Sequence, residues 1–522
     1  MNISDYISIE KKKPWRRLVY DDSISGAAPR YVNKTQQDFL TELYPEAHRI
    51  NSPKMSLRPV YGPTGEKDKN GKEKWAIVAY DPVETVPLGM QVEIISKKIS
   101  HFAADGFWTA SESEDEDRFG TMMSWADTAG LQTGFLEVIA SALRTGDGAI
   151  YLYQTDDPQD PIQYEVYGYE EGSTLFPQTD FNGKKTIARQ YRFNGHEAVD
   201  IFTPETIETW MKLDEEADDY RTFIPEGTTP QKSDDDYTLV RKKEGQAGND
   251  LCQCIYFRFD DIPTGPAQRT IEKLEDAMTY VGEHLKGSAM PILFMKAEKT
   301  SSLPPSRLAN RAIGVKGTSD SLQHADAKFL TPPDASNIAT MHVEGLQDDI
   351  RSTCLSVKID PEIIKQGSDS SATMKILYAP EVQWAQLHWP EVFKSVKQLM
   401  LVFKSLVGKV EGDPSGYAKM RISVGQNIWI PQNESEALKM ELDQVYARVK
   451  SRKAAIEDIE NTHKGDYEQI NKEWEEELTM KAEAAPKAKA KFGDSSETFG
   501  EETSKENPAD VNNQAAGKSI QN

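Results

Sequence analysis

The stretch from Pro266 to Val410 constrains the fold most, because it must set two seamed helices on either side of a long irregular segment. In Pro266 to Lys286 the residues Ile271, Leu274, Met278, Val281 and Leu285 fall three and four apart, which makes one narrow apolar seam along a helix of about 20 residues. Such a seam needs a partner helix. Val343, Leu346, Ile350 and Cys354 repeat the spacing, a Gly/Ser loop follows at 365–371, and a helix restarts at Ala372. Apolar residues then run at helical spacing through Val392, Val396, Leu399, Met400, Phe403 and Leu406. Pro380 and Pro390 interrupt this helix, each removing a backbone donor and favouring a bend. The arrangement positions things and holds no catalytic constellation. Its apolar stripes are expected to be buried when copies of the chain stand side by side around an axis.

At 522 residues the chain exceeds what one core serves, so three or four structural units are expected. No apolar run reaches the ~18 residues of a membrane span, so no membrane partner is expected. The basic cluster Lys11 to Arg17 has no apolar stretch behind it, which argues against a secretory signal and for a start in a cytoplasm. Cys252, Cys254 and Cys354 are too few for a disulfide framework. Cys252 and Cys254 alternate on one strand face and read as core residues, since a zinc site needs four ligands. The net charge of -23 excludes an ordinary tight duplex binder, which gains its affinity by neutralising phosphates.

Along the chain, residues 1 to about 35 read as an arm, and Thr35 to Leu43 as a first helix ended by Pro45. Ser52 to Asn70 reads as turn and loop, and its Gly/Lys content lacks the Gly-Lys-Ser/Thr entry of a phosphate cradle. Pro87 to Ala104 and Leu131 to Arg144 are amphipathic helices, the second stopped at Gly146. Between them the acidic run Ser111 to Asp117 reads as a solvated loop, because nothing fixes the spacing of metal ligands there. Residues 149–153, 162–169, 186–193 and 198–202 form an antiparallel sheet. Thr203 then caps a short helix through Trp210, with Pro204 at its first position. Tyr237 to Arg241, Leu251 to Phe259 and Tyr417 to Val424 are strands. Asn433 and Glu436 make a capping box for a helix seamed by Leu438, Leu442, Val445 and Val449, two further helices follow, and the chain is disordered from about Ala484.

This order resembles the portal proteins of tailed bacteriophages, the siphophage-type portal family, over roughly 35–482. The residues that carry the likeness are Gly146 to Tyr153, Ala198 to Trp210, the helix Pro266 to Lys286, Ser370 to Tyr378, and Val449 to Ile456 followed by Tyr467 to Glu473. Ser371 stands where the family has glycine, and residues 359–362 (Ile-Asp-Pro-Glu) replace its proline-rich approach to the tunnel loop.

The resemblance implies an α+β portal fold and a ring of twelve copies that conducts DNA at one capsid vertex during packaging, retention and ejection. It divides the chain into an arm (1–34), a wing (35–265 and 372–432), stem helices (266–288 and 341–358), a clip (289–340), a tunnel loop (359–371), a crown (433–483) and a disordered tail (484–522). Expected partners are other copies of the chain, double-stranded DNA by weak non-specific contact, the terminase large subunit, the head-tail adaptor, and the major capsid or scaffold protein. No cofactor or metal is expected. Lys286, Lys358, Lys365, Gln366, Ser368 and Ser370 are the candidates for the channel and its loop. Lys299, Arg307, Arg311 and Lys316 are the candidates for partner docking. Between Lys296 and Met341 six basic residues outnumber four acidic ones, a local reversal of the chain's charge. A mostly acidic bore lets a duplex slide, while a few lysines near the constriction hold it without locking it.

Two alternatives compete: another phage head or connector protein, and a metal-dependent nuclease. The eight histidines show no HExxH pattern, and Asp156, Asp157 and Glu165 are the best carboxylate set a nuclease has here.

Overall fold

The computed structural model describes residues 2–8, 12–19, 29–67, 73–111, 115–157, 159–179, 183–214, 220–224, 230–248, 250–288, 292–297, 312–316, 327–330, 336–358 and 371–428, all within one unit, Met1–Gln432. The helices and tail expected beyond residue 432 lie outside the described residues, as do 359–370 of the expected loop.

β1 (Trp15–Val19) and β2 (Arg30–Lys34) pair antiparallel within the segment read as an arm. α1 (Gln36–Leu43) starts at a capping box: Thr35 accepts the Asp38 amide, and Asp38 accepts the Thr35 amide at 2.7 Å. The stretch expected to be turn and loop is instead β3 (Leu57–Lys67), paired with β4 (Glu73–Pro82). Register shifts at Val60/Tyr61 and Pro63/Lys67 absorb the turn-forming residues, so they bend a ribbon without ending it.

α2 (Met90–Ala103), β5 (Phe107–Ser111), α3 (Glu116–Thr128) and α4 (Leu131–Thr145) follow. The acidic run read as loop leads into α3, with Glu116 and Asp117 in the first turn, where the helix dipole favours them. Gly146 caps α4 with φ 91°, a left-handed conformation glycine adopts freely, and a Cβ there would fall 2.7 Å from the Trp15 ring.

β6 (Asp147–Gln154), β7 (Ile162–Gly168), β8 (Thr174–Thr179), β9 (Lys185–Phe193), β10 (His196–Phe202), β11 (Thr206–Met211), β12 (Thr238–Glu244) and β13 (Cys254–Arg258) make two sheets, ordered β13-β6-β7 and β12-β11-β10-β9-β8. All their pairings are antiparallel. Residues 203–210, expected as a helix, form a turn and then β11. The Thr203 hydroxyl accepts the Thr206 amide at 2.8 Å, closing the turn, and Ile207 to Met211 pair with β10. Thr203 and Pro204 are ambiguous between helix start and turn, and the long-range partner decides.

The sheets face each other through Tyr151, Tyr167, Phe202, Cys252 and Cys254. Both cysteines are buried and free, and burial pushes the Cys252 thiol up to about 11. On the far side of the five-stranded sheet Ile3 is enclosed with Phe176, Val199 and Trp210. Asp235 holds this N-terminal strap, accepting from the amides of Ile3 (3.0 Å) and Ser4 (2.6 Å) and from the Ser4 hydroxyl (2.7 Å). Burial opposes its charge, but these bonds from Ser4 and Ile3 hold its carboxyl down to about 2. A depressed carboxyl stabilises the fold above its unfolded value near ~4 and loses that contribution as pH falls toward the folded one. Asp235→Asn at pH 7 is therefore expected to speed hydrogen exchange at the Ile3 and Ser4 amides, as is acidification of the native protein below pH ~3. Unchanged protection in the variant removes Asp235 as the anchor.

α5 (Gln268–Ser288), a small sheet of β14 (Ile292–Ala297), β15 (Ala312–Lys316) and β16 (Ala327–Leu330), then α6 (Ser336–Thr353), α7 (Ser371–Leu377), α8 (Ala379–Val410), α9 (Pro414–Lys419) and β17 (Ile422–Gln426) complete the described chain. β14 runs parallel to β15 and antiparallel to β16. The strand expected over 417–424 is half right: residues to Lys419 finish α9, and β17 pairs with β5. Pro380 sits in the first turn of α8, where no intrahelical donor is lost, while Pro390 is internal. Val392, Val396, Leu399, Met400, Phe403 and Leu406 of α8 pack with Phe135, Val138 and Ile139 of α4 in the largest core.

Candidate functional site: a helix pair and the segment before residue 359

The seam predicted for α5 exists, and its partner is α6 of the same chain. Ile271 and Leu274 are fully buried with Ile350, Cys354 and the α2 residues Met90 and Ile94, and Met278, Val343 and Leu346 pack against them. From Ile271 to Met278 the stripe therefore closes within one chain. This corrects the expectation that only neighbouring copies bury it: α2 supplies the third wall of the groove. Other apolar side chains on the pair remain in water, with Tyr280 67% exposed, Ile338 74% and Met341 73%.

The near end of α5 is pinned by polar contacts. Glu275, almost fully buried, accepts the Leu88 amide at 2.9 Å, and its Oε1 lies 2.5 Å from His48 Nδ1. Thr279 accepts the Val86 amide at 3.0 Å, and Arg49 reaches Glu272 and Asp276. Burial works against a charged imidazole, yet the Glu275 carboxylate outweighs it and raises His48.

The far end of α6 leads into a second constellation. After Thr353 the backbone turns through Leu355 at φ 50°. Lys98 of α2, wholly buried, donates to the Leu355 carbonyl at 2.6 Å and to Glu381 Oε2 at 2.5 Å. Glu381 Oε1 accepts from the Ser356 hydroxyl (2.9 Å) and the Val357 amide (3.1 Å), and Lys97 donates to the Val357 carbonyl (3.0 Å). Burial lowers the Lys98 ammonium against the opposing pull of Glu381. The segment entering 359–370 is thus tied by one buried ion pair to the first turn of α8, just beyond where the chain returns.

The residues singled out from sequence are not gathered into one site. Lys358 is exposed at the end of the described segment, Lys286 lies in the last turn of α5, and Lys316 ends β15 in register with Ala297. Lys365, Gln366, Ser368, Ser370, Lys299, Arg307 and Arg311 lie outside the described residues. Lys98 and Glu381 were missed. The signal for Lys98 was its place on the stripe of Ile94, Ile95, Ile99 and Phe102, where a lone lysine must find an anion or unfold the stripe.

Among the described residues no group of three or more His, Cys, Asp or Glu could hold a metal ion, the Asp156, Asp157 and Glu165 set included, while 112–114 of the acidic run lie outside the described residues. No helix among them is long and apolar enough to cross a membrane.

The family model described as "Phage portal protein, SPP1 Gp6-like" matches residues 76–484, more than three quarters of the chain. The chain belongs to this family of phage portal proteins, whose members are structural components of the phage head. Among solved structures, the chain is similar to one from the virion of a native gene transfer agent (GTA) particle. That match has 13% identity, covers 69% of this chain and 84% of that one, and has a TM-score of 0.31. No curated protein matches.

Proposed function

We propose that this portal protein closes into a ring of twelve copies through which double-stranded DNA is packaged, retained and ejected. On this reading α5 and α6 are the stem, the β14–β16 sheet belongs to the clip that meets the terminase and later the head-tail adaptor, and 359–371 is the tunnel loop facing the bore. Residues 433–483 form the crown toward the capsid interior. The wing, 35–265 and 372–432, carries the contacts with capsid or scaffold protein. DNA is held weakly, because a chain of net charge -23 repels a polyanion except where single lysines such as Lys358 face it.

The observation that supports the ring most directly is the exposure of Tyr280, Ile338 and Met341 on a helix pair whose seam is already filled. Large apolar side chains in water on an otherwise satisfied element mark an interface. Electron microscopy of the purified protein is expected to show annuli with a duplex-sized hole, and chromatography a mass of about 700 kDa for twelve 58.6 kDa chains. Ile338→Glu with Met341→Glu is expected to shift the protein to smaller species. A monodisperse wild-type monomer at all concentrations overturns the ring.

A further inference from the structure

The three-stranded and five-stranded sheets diverge around a cavity of about 400 Å³. Its walls are aromatic. Tyr151 and Tyr153 stack with centroids 5.2 Å apart, Tyr167 follows at 6.4 Å from Tyr151, and Phe193 stands at the rim, 47% exposed. The cation inside is already engaged: the Arg189 guanidinium lies 3.8 Å from the Tyr167 ring centroid and beside Asp200.

β12 forms the edge of the five-stranded sheet beside this cavity. The start of the strand is covered, since Lys232 bridges Thr238 and the Leu239 amide donates to the Gln231 carbonyl. From Val240 to Glu244 no strand pairs with its outer edge among the described residues. That free edge carries three consecutive cations. Lys242 is paired with Glu208 at 2.8 Å. Arg241 and Lys243 line the cavity and make no ion pair among the described residues, and burial together with the Arg241 charge lowers the Lys243 ammonium. Glu165 in the lining and nearby Asp156 offset part of the Lys243 charge, but Arg189, Arg241 and Lys243 outnumber the lining's carboxylates Glu165 and Asp200, so in a chain of -23 the tyrosine-lined hollow keeps a local excess of positive charge.

We propose that β12 and the cavity behind it bind an extended acidic peptide segment. The peptide adds a strand along 240–244, sets aspartate or glutamate against Arg241 and Lys243, and places one aromatic side chain among Tyr151, Tyr153 and Phe193. A free sheet edge supplies main-chain hydrogen bonds to such a ligand, while pockets for alternate side chains supply selectivity. Lysines on an edge ordinarily repel stray strands, so the same cations admit an anionic one and reject the rest. Tyrosine is also the residue type that concentrates binding energy at protein interfaces. A nucleotide fits less well, because among the described residues the lining includes no glycine and no helix N-terminus to cradle phosphate. The proposal holds whether or not the chain closes into a ring.

The test is fluorescence anisotropy of the full chain with fluorescein-labelled Asp-Val-Asp-Trp-Asp-Val-Asp, its analogue with lysine for each aspartate, and its analogue with alanine for tryptophan. The acidic tryptophan peptide is expected to bind, and the other two to bind at least about tenfold more weakly. Arg241→Glu with Lys243→Glu, both at exposed positions, is expected to lose the acidic peptide by a similar factor and to gain the lysine peptide. Phe193→Ala, also exposed, is expected to weaken binding about threefold or more while leaving the charge preference intact. Equal binding of the acidic peptide to wild type and the double variant overturns the proposal. So does equal wild-type affinity for the acidic and lysine peptides, or no binding at about 1 mM peptide.

Discussion

Lys98→Met is expected to cost about 3–5 kcal/mol of stability, because it leaves the wholly buried Glu381 carboxyl without its cation. The effect should be local as well as global. Lys98 and Glu381 together hold Leu355, Ser356 and Val357, so amide exchange at Val357 should rise in the variant before the main core opens. Adding Glu381→Gln removes the orphaned carboxyl while keeping an acceptor for Ser356 and Val357. The double variant should therefore be more stable than Lys98→Met alone, with a coupling of about 0.5–3 kcal/mol in a double-mutant cycle. Denaturant unfolding measures all three. A single-variant loss below ~1 kcal/mol would mean that water reaches the pair and that the segment before residue 359 is not fixed by it.

Phe135→Ala is expected to cost a similar ~3–5 kcal/mol for a different reason, the cavity left where a large ring is removed. Phe135 sits at the centre of the largest core, edge-on to Phe107 at 5.1 Å and to Phe257 at 6.2 Å. It therefore joins α4 to β5 and to β13 at once, and the aromatic pairs add to what burial alone contributes. Phe135→Leu refills much of the space and should cost roughly half as much or less. Equal losses for the two substitutions would point to a change in backbone and not to a cavity.

The parts of this fold legible in the sequence are those decided by neighbours a few residues away. Leu131 to Arg144 reads as a helix because its apolar residues recur at 3.6 and Gly146 stops it. The α5 seam reads clearly because five residues keep one spacing over about 20 positions. What failed was decided at long range. Residues 203–210 carry the local marks of a helix start, yet β10 and β12 lie on either side and claim Thr206 to Met211 for a strand. Gly62 and Pro63 look like a turn and sit inside a bulged ribbon. The candidate site followed the same division. The two seamed helices were foreseen from spacing, though not their closure within one chain, whereas Lys98 and Glu381 stand 283 residues apart and nothing local announces that they meet.

All three cysteines of the chain are enclosed and unpaired, and burial pushes the Cys354 thiol up to about 12. Neutral-pH maleimides react with exposed thiolates, so the native protein should remain unmodified by them. A cysteine introduced at exposed Lys358 would then be the sole attachment point for a fluorophore or spin label, which would report on the region beside 359–370 without replacing any native residue of the core.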